Sequence, residues 1–169
     1  MFLDESRCNT DMTRRYAYSL GGSRAVDSAP LSKPKNTTIL SSIQLDGTLR
    51  YTTFSGGTTV ERFKRYLETD LLPHLNGNSV LIMDNMKSHH AKAVKNLLDS
   101  SEIRYIYLPP YSPDLNPIEK LWSKVKSFLR KFKARTLDAL PNAIQCAFQT
   151  VSPSDCSGWF HSCGYSPYF

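Results

Sequence analysis

Between two apolar segments the chain reads Leu108-Pro109-Pro110-Tyr111-Ser112-Pro113-Asp114-Leu115-Asn116-Pro117-Ile118-Glu119. Four prolines in twelve residues exclude both a regular helix and a central strand here. The stretch is therefore a stiff loop, joining a strand expected over Ile103–Leu108 to a helix that begins beside Pro117. Beyond the loop, Ile118, Leu121, Trp122, Val125, Leu129 and Phe132 recur at helical spacing, with basic residues on the other faces. The start of that helix is also legible: Asn116 reads as an N-cap, Pro117 as N1 and Glu119 as a capping-box residue at N3.

Working outward, Ser79–Met83 is a short apolar strand candidate closing on Asp84-Asn85, with a helix expected from His89 to Leu98. Further upstream, two β-rich runs, Thr37–Leu45 and Leu49–Phe54, flank Asp46-Gly47, a strong hairpin signal. Thr58 or Thr59 caps a helix carrying Val60, Phe63, Leu67 and Leu71, which ends near Pro73. Downstream, Thr136 caps a last helix through Gln149, and beyond Pro153 the periodicity is weak. Strands and helices alternate after an initial hairpin, which is the pattern of an α/β domain with a mixed sheet.

The chain has 169 residues, enough for one globular domain. Hydrophobic residues at 40% and charged residues at 21% exclude a disordered or collagen-like chain. Apolar runs such as Val80–Met83 are far too short to span a membrane. The N-terminus lacks a signal-peptide pattern, so a soluble, cytoplasmic protein is expected. Cys8, Cys146, Cys156 and Cys163 form no C-x-x-C pair and read as reduced thiols.

The net charge of +6 has a single source. Lys120, Lys124, Lys126, Arg130, Lys131, Lys133 and Arg135 fall in one acid-free segment, while the rest of the chain holds fourteen basic and fifteen acidic residues. Such a cluster is either the footprint of a phosphate backbone or the solvated face of an amphipathic helix.

Three acids stand where ordered backbone is expected to stop. Asp4 follows Met1-Phe2-Leu3, Asp84 follows Val80–Met83, and Glu119 lies in the first turn after the proline loop. Hard divalent cations take carboxylate oxygens, and a two-ion site serves in-line phosphoryl displacement. Each acid also has a plainer reading: a solvated terminal residue for Asp4, a turn for Asp84-Asn85, a helix cap for Glu119.

Asp4-Glu5-Ser6, then Leu81-Ile82-Met83-Asp84-Asn85 with His89-His90 behind it, and finally Leu108–Glu119 together resemble the catalytic domain of DDE transposases of the mariner superfamily, in particular the branch of bacterial insertion sequences. The 34 residues between Asp84 and Glu119 match that superfamily's spacing. The resemblance implies a ribonuclease-H-like fold, with residues 1–150 as the catalytic domain and 151–169 as a C-terminal tail packed on it. It implies that Asp4, Asp84 and Glu119 hold two Mg²⁺ or Mn²⁺ ions. The implied activity is cleavage of DNA at transposon ends, followed by attack of the freed 3′-hydroxyl on a TA target. It favours contact of Lys120, Lys124, Lys126, Arg130 and Lys131 with DNA, and a homodimer. For His89 and His90 packing or a phosphate contact is expected rather than metal ligation, since Mg²⁺ prefers oxygen. Tyr111 and the prolines are expected to shape the loop that presents Glu119.

Family members carry an N-terminal helix-turn-helix region that binds the terminal inverted repeats, whereas only three residues precede Asp4 here. The first strand, usually central, is expected to be truncated and Asp4 to sit at its frayed end. Two outcomes follow from that expectation: a catalytic domain working with an N-terminal half encoded upstream, or an inactive remnant with weak non-specific DNA binding. A stand-alone nuclease of similar fold is a third reading, against which the proline loop argues.

Overall fold

A computed structural model of the chain describes residues 1–14, 16–28 and 34–165. Five strands form one sheet in the order β3-β2-β1-β4-β5, where β1 is Phe2–Cys8, β2 Thr37–Ile43, β3 Leu49–Ser55, β4 Val80–Met83 and β5 Arg104–Tyr107. The first three are antiparallel neighbours, while β1/β4 and β4/β5 are parallel. The expected mixed sheet flanked by helices is present.

The expectation of a truncated first strand with Asp4 at its end is corrected. β1 is the central strand, seven residues long, and Asp4 is its third residue, opposite Ser41 of β2. The strand continues because β2 offers a partner for every residue from Phe2 to Cys8, and a paired backbone does not fray. What stops near Asp4 is the parallel pairing: β1 meets β4 only at Phe2–Ile82 and Leu3–Met83.

Side chains alternate across the sheet, and the alternation builds two cores. Leu3, Leu40, Leu81 and Met83 pack with Phe63, Tyr66, Leu67, Val94 and Leu98, from helix α1 (Val60–Tyr66), the turns after it and helix α2 (Lys92–Ser100). Phe2, Ile39 and Ile43 face the opposite side. There they meet Leu121, Trp122 and Val125 of helix α3 (Ile118–Phe132), Ile144 of helix α4 (Ala139–Gln149) and Phe160 of helix α5 (Pro153–Ser162).

Three local expectations change. The helix from Val60 is α-helical only to Tyr66, then widens into a π-turn over Leu67–Leu71 and a 3₁₀ turn at Leu72–His74, where Pro73 withholds an N–H. The helix expected from His89 begins at Lys92, because His89 sits in a turn with its ring facing inward. The stretch beyond Pro153 is a helix after all. Ser152 accepts from Asp155 N–H at 3.1 Å, and Asp155 accepts from Ser152 N–H at 2.8 Å, a complete capping box. Residue Tyr165, just beyond, packs its ring 4.9 Å from that of Phe2 and donates its hydroxyl to the Leu115 carbonyl at 2.8 Å, so the C-terminal residues buttress the proline loop. The four cysteines are free thiols, as expected.

Candidate active site

Register brings two of the three acids together. Phe2 pairs with Ile82 and Leu3 with Met83, so Asp4 and Asp84 come immediately after the last paired residues of the two strands. Asp4 shares the face of Phe2, which is the face covered by α3, while Asp84, one residue past β4, reaches His89 on the α1 side. The proline loop returns from β5 and starts α3 so that Glu119, in its first turn, joins them. Asp4, Asp84 and Glu119 line one cavity of about 650 Å³, walled on one side by Pro109, Pro110 and Tyr111. Tyr111 is fully exposed at the rim with φ 58°, a left-handed conformation that marks the tight turn of this loop.

Asp4 is buried, with 6% of its surface exposed. Its Oδ1 accepts from Glu5 N–H at 2.7 Å, and its Oδ2 from Trp122 Nε1–H at 3.1 Å and from Asn116 Nδ2–H at 3.4 Å. Burial pushes its carboxyl up to about 7; repulsion from Asp84 and Glu119 adds to the rise, and the Glu5 and Trp122 hydrogen bonds oppose it.

Asp84 has the opposite balance. Burial pushes its carboxyl up, but the hydrogen bond and charge of His89 and the Met86 N–H outweigh it, leaving the carboxyl below its ordinary range. His89 Nδ1 lies 2.8 Å from Asp84 Oδ1 and 3.3 Å from the Asp84 carbonyl. Both neighbours are acceptors, so Nδ1 carries the proton. His89 is fully buried and stacked 4.2 Å from Phe63, which rules out the expected phosphate contact in this conformation: it packs, and it aims Asp84. His90 instead hydrogen-bonds the Asn85 side chain and leans on Tyr107.

Asn116 does not cap α3. No side chain caps that helix; the Asn116 amide turns to Asp4, and its Oδ1 is buried without a partner. Glu119 is consequently free of a capping bond and exposed toward the cavity. The donor set consists of hard carboxylate oxygens sharing a partly buried cavity with their negative charge in excess, and this fits a divalent cation. Among the described residues no three acidic, histidine or cysteine side chains close on a single point. The three carboxylates stand around the cavity rather than converge.

The basic segment divides. Lys120, Lys124 and Lys131 line a groove of about 530 Å³ between α3 and α5, beside Phe128 and Trp159. Lys126 lies toward β1, where its charge partly opposes the burial that lifts the Cys8 thiol to about 11. Lys124 is tied to Asp155 at 2.6 Å, Lys133 to Asp27 at 2.6 Å, and Arg135 donates to the Thr10 and Met12 carbonyls. Lys120, Lys126, Arg130 and Lys131 have no ion-pair partner among the described residues. Sequence spacing missed Trp122 and Asn116 as neighbours of Asp4, since an apolar helical stripe and a cap signal explained both. Among the described residues no helix is long and apolar enough to cross a membrane.

The chain is similar to several known proteins. The Tc1 transposable-element transposase of Caenorhabditis elegans is 27% identical over 97 residues, 55% of this chain and 36% of that protein. The Tcb2 transposase of Caenorhabditis briggsae is 31% identical over 75 residues, 44% and 28% of the two. A Mos1 transposase paired-end complex with left transposon end superposes with a TM-score of 0.80 at 19% identity, covering 96% of this chain and 51% of that one. A Mos1 paired-end complex with Mn gives 0.71 at 19% identity, with 96% and 51% covered. The chain thus spans about a third of the curated relatives and half of the Mos1 chain. At such identity the structural likeness fixes the fold, which is the ribonuclease-H-like fold of the Mos1 catalytic domain. The family model for the DDE superfamily endonuclease matches residues 1–141, a span that takes in Asp4, Asp84 and Glu119, and by that match the chain belongs to the DDE superfamily endonucleases.

Proposed function

We propose that this chain is the catalytic domain of a mariner-type DNA transposase, of the bacterial insertion-sequence branch. In this reading it cleaves DNA at transposon ends and joins the 3′-hydroxyl to a TA target. The single observation that carries the proposal is the gathering of Asp4, Asp84 and Glu119, from β1, the end of β4 and the start of α3, around one cavity. These three residues would hold Mg²⁺ or Mn²⁺ as a pair of ions, which when bound supply an activated water and charge neutralisation for the leaving oxygen.

The chain's own residues then divide the work. Asp4, within β1, and Asp84, just past β4, are oriented by their hydrogen-bond partners and so present fixed oxygens. Glu119, free of a capping bond, is the exposed member on the side where a DNA strand would enter. Lys120, Lys126, Arg130 and Lys131 supply positive charge along the phosphate backbone, and Lys124, held by Asp155 at 2.6 Å, adds little to it. Recognition of the terminal inverted repeats belongs in this reading to an N-terminal DNA-binding half, and pairing of two ends to a homodimer. The protein is cytoplasmic in this reading, and nucleoid-associated when bound to DNA.

Nicking of a supercoiled plasmid in Mn²⁺ tests the proposal without need of specific ends. Wild type nicks, and Glu119→Gln abolishes nicking while its circular dichroism and melting stay close to wild type. Retained nicking in Glu119→Gln would remove Glu119 from the site.

A further inference from the structure

Asp4 has a more crowded surrounding than a surface carboxylate, and the crowding is specific to one of its oxygens. A carboxylate offers about four lone-pair sites, two on each oxygen. Both sites on Oδ2 are engaged, one by Trp122 Nε1–H at 3.1 Å and one by Asn116 Nδ2–H at 3.4 Å, whereas Oδ1 accepts only from Glu5 N–H. We infer that Trp122 and Asn116 are positioning residues of the metal site, which occupy Oδ2 and leave Oδ1 as the atom through which Asp4 meets a cation. The inference rests on the proposed metal-binding role of Asp4, Asp84 and Glu119.

Three features support a role beyond packing. Indole N–H is a donor only, so Trp122 cannot itself become a ligand, and with 3% of its surface exposed it has Asp4 as its acceptor rather than water. Trp122 follows Glu119 by three residues on the same helix, so one turn of α3 both delivers the third carboxylate and grips the first. The bond therefore docks α3 on β1 at the site itself, and the spacing of Asp4 and Glu119 depends on it. The Asn116 amide comes from the loop just before α3, and the reverse orientation would set its Oδ1 against Asp4 Oδ2, oxygen on oxygen.

Calorimetric titration of Mn²⁺ into the whole chain at neutral pH tests this without DNA. Trp122→Phe keeps an aromatic ring and removes the donor; it is expected to weaken Mn²⁺ binding about 10- to 100-fold, the usual effect of losing a partner that orients a metal ligand. A second measurement needs no change at Trp122. The chain has two tryptophans, so its indole N–H groups give two nitrogen–proton NMR signals. Mg²⁺ should move one of them, and Asp4→Asn should displace that same signal. Affinity in folded Trp122→Phe within twofold of wild type overturns the inference alone, as do two unmoved indole signals in protein that demonstrably binds Mg²⁺. Absence in wild type of any Mn²⁺ binding that Asp84→Asn abolishes would instead overturn the metal site, and this inference with it.

Discussion

Replacing Asp4 by Asn should stabilise the protein at alkaline pH in a chelator and destabilise it in acid. Burial first, and then Asp84 and Glu119, lift the Asp4 carboxyl from its ordinary 3.8 to about 7. A raised carboxyl contributes stability that is fully present below about 3.8 and is lost as pH rises through about 7. At 1.36 kcal/mol for each tenfold change in proton affinity, the ionised folded state at pH 8 carries a cost of roughly 4 kcal/mol. With 6% of its surface exposed, Asp4 is not relieved of that cost by solvent. Asn removes the charge but places an NH₂ against groups that donate to Asp4, forfeiting about 1–2 kcal/mol. The net gain at pH 8 is about 2–3 kcal/mol, or a rise in melting temperature of roughly 5–10 °C. At pH 4 only the lost hydrogen bond remains, and the order reverses. Differential scanning calorimetry in EDTA across this range reads both limbs. An Asp4→Asn protein no more stable than wild type at pH 8, or equally favoured at pH 4, refutes the argument.

Other outcomes follow from the same contacts. Asp155→Asn removes the Lys124 ion pair and half the capping box of α5, costing about 1 kcal/mol at neutral pH. The hydrogen bond from Lys124, then those from Ser152, lower the Asp155 carboxyl to about 2. Its contribution is therefore present above the ordinary 3.8 and should fade, in urea melts, as pH falls from about 4 toward 2. Gly47→Ala should cost about 1–3 kcal/mol in thermal melts, since φ is +90° there and a Cβ would come within 2.8 Å of the Pro153 Cα. Lys120→Ala with Lys131→Ala should flatten the salt dependence of DNA binding by about two units of slope, while Lys124→Ala leaves it nearly unchanged because Asp155 already neutralises that lysine.

Residue chemistry with local periodicity announced much of this architecture. Asp46-Gly47 marked the hairpin, whose turn holds Gly47 at φ +90°, and the apolar stripe from Ile118 to Leu129 is the buried face of α3. Features set by non-local pairing were hidden. Nothing in Met1–Asp4 tells that β2 will hold β1 to Cys8, so Asp4 looked terminal when it is central. Asn116 carries a perfectly good cap signal, yet a buried carboxylate from the other end of the chain outcompetes the helix for its amide. His89 read as a helix start because its burial under α1 depends on Phe63, 26 positions away. The α5 helix left a local trace in Ser152-Pro153-Ser154-Asp155, a cap followed by a proline and a capping-box acid, even though its apolar periodicity is weak. Asp4, Asp84 and Glu119 were legible as candidate ligands; the partners that aim them were not.

The central claim is that Asp4, Asp84 and Glu119 act as one divalent-metal site. Electron paramagnetic resonance of Mn²⁺ added to the protein without DNA addresses it most directly, because bound Mn²⁺ loses the sharp six-line signal of the free ion. The account requires that wild type deplete the free signal, and that Asp4→Asn, Asp84→Asn and Glu119→Gln each restore it while remaining folded. Depletion that survives any one of the three substitutions at wild-type strength would contradict a shared site.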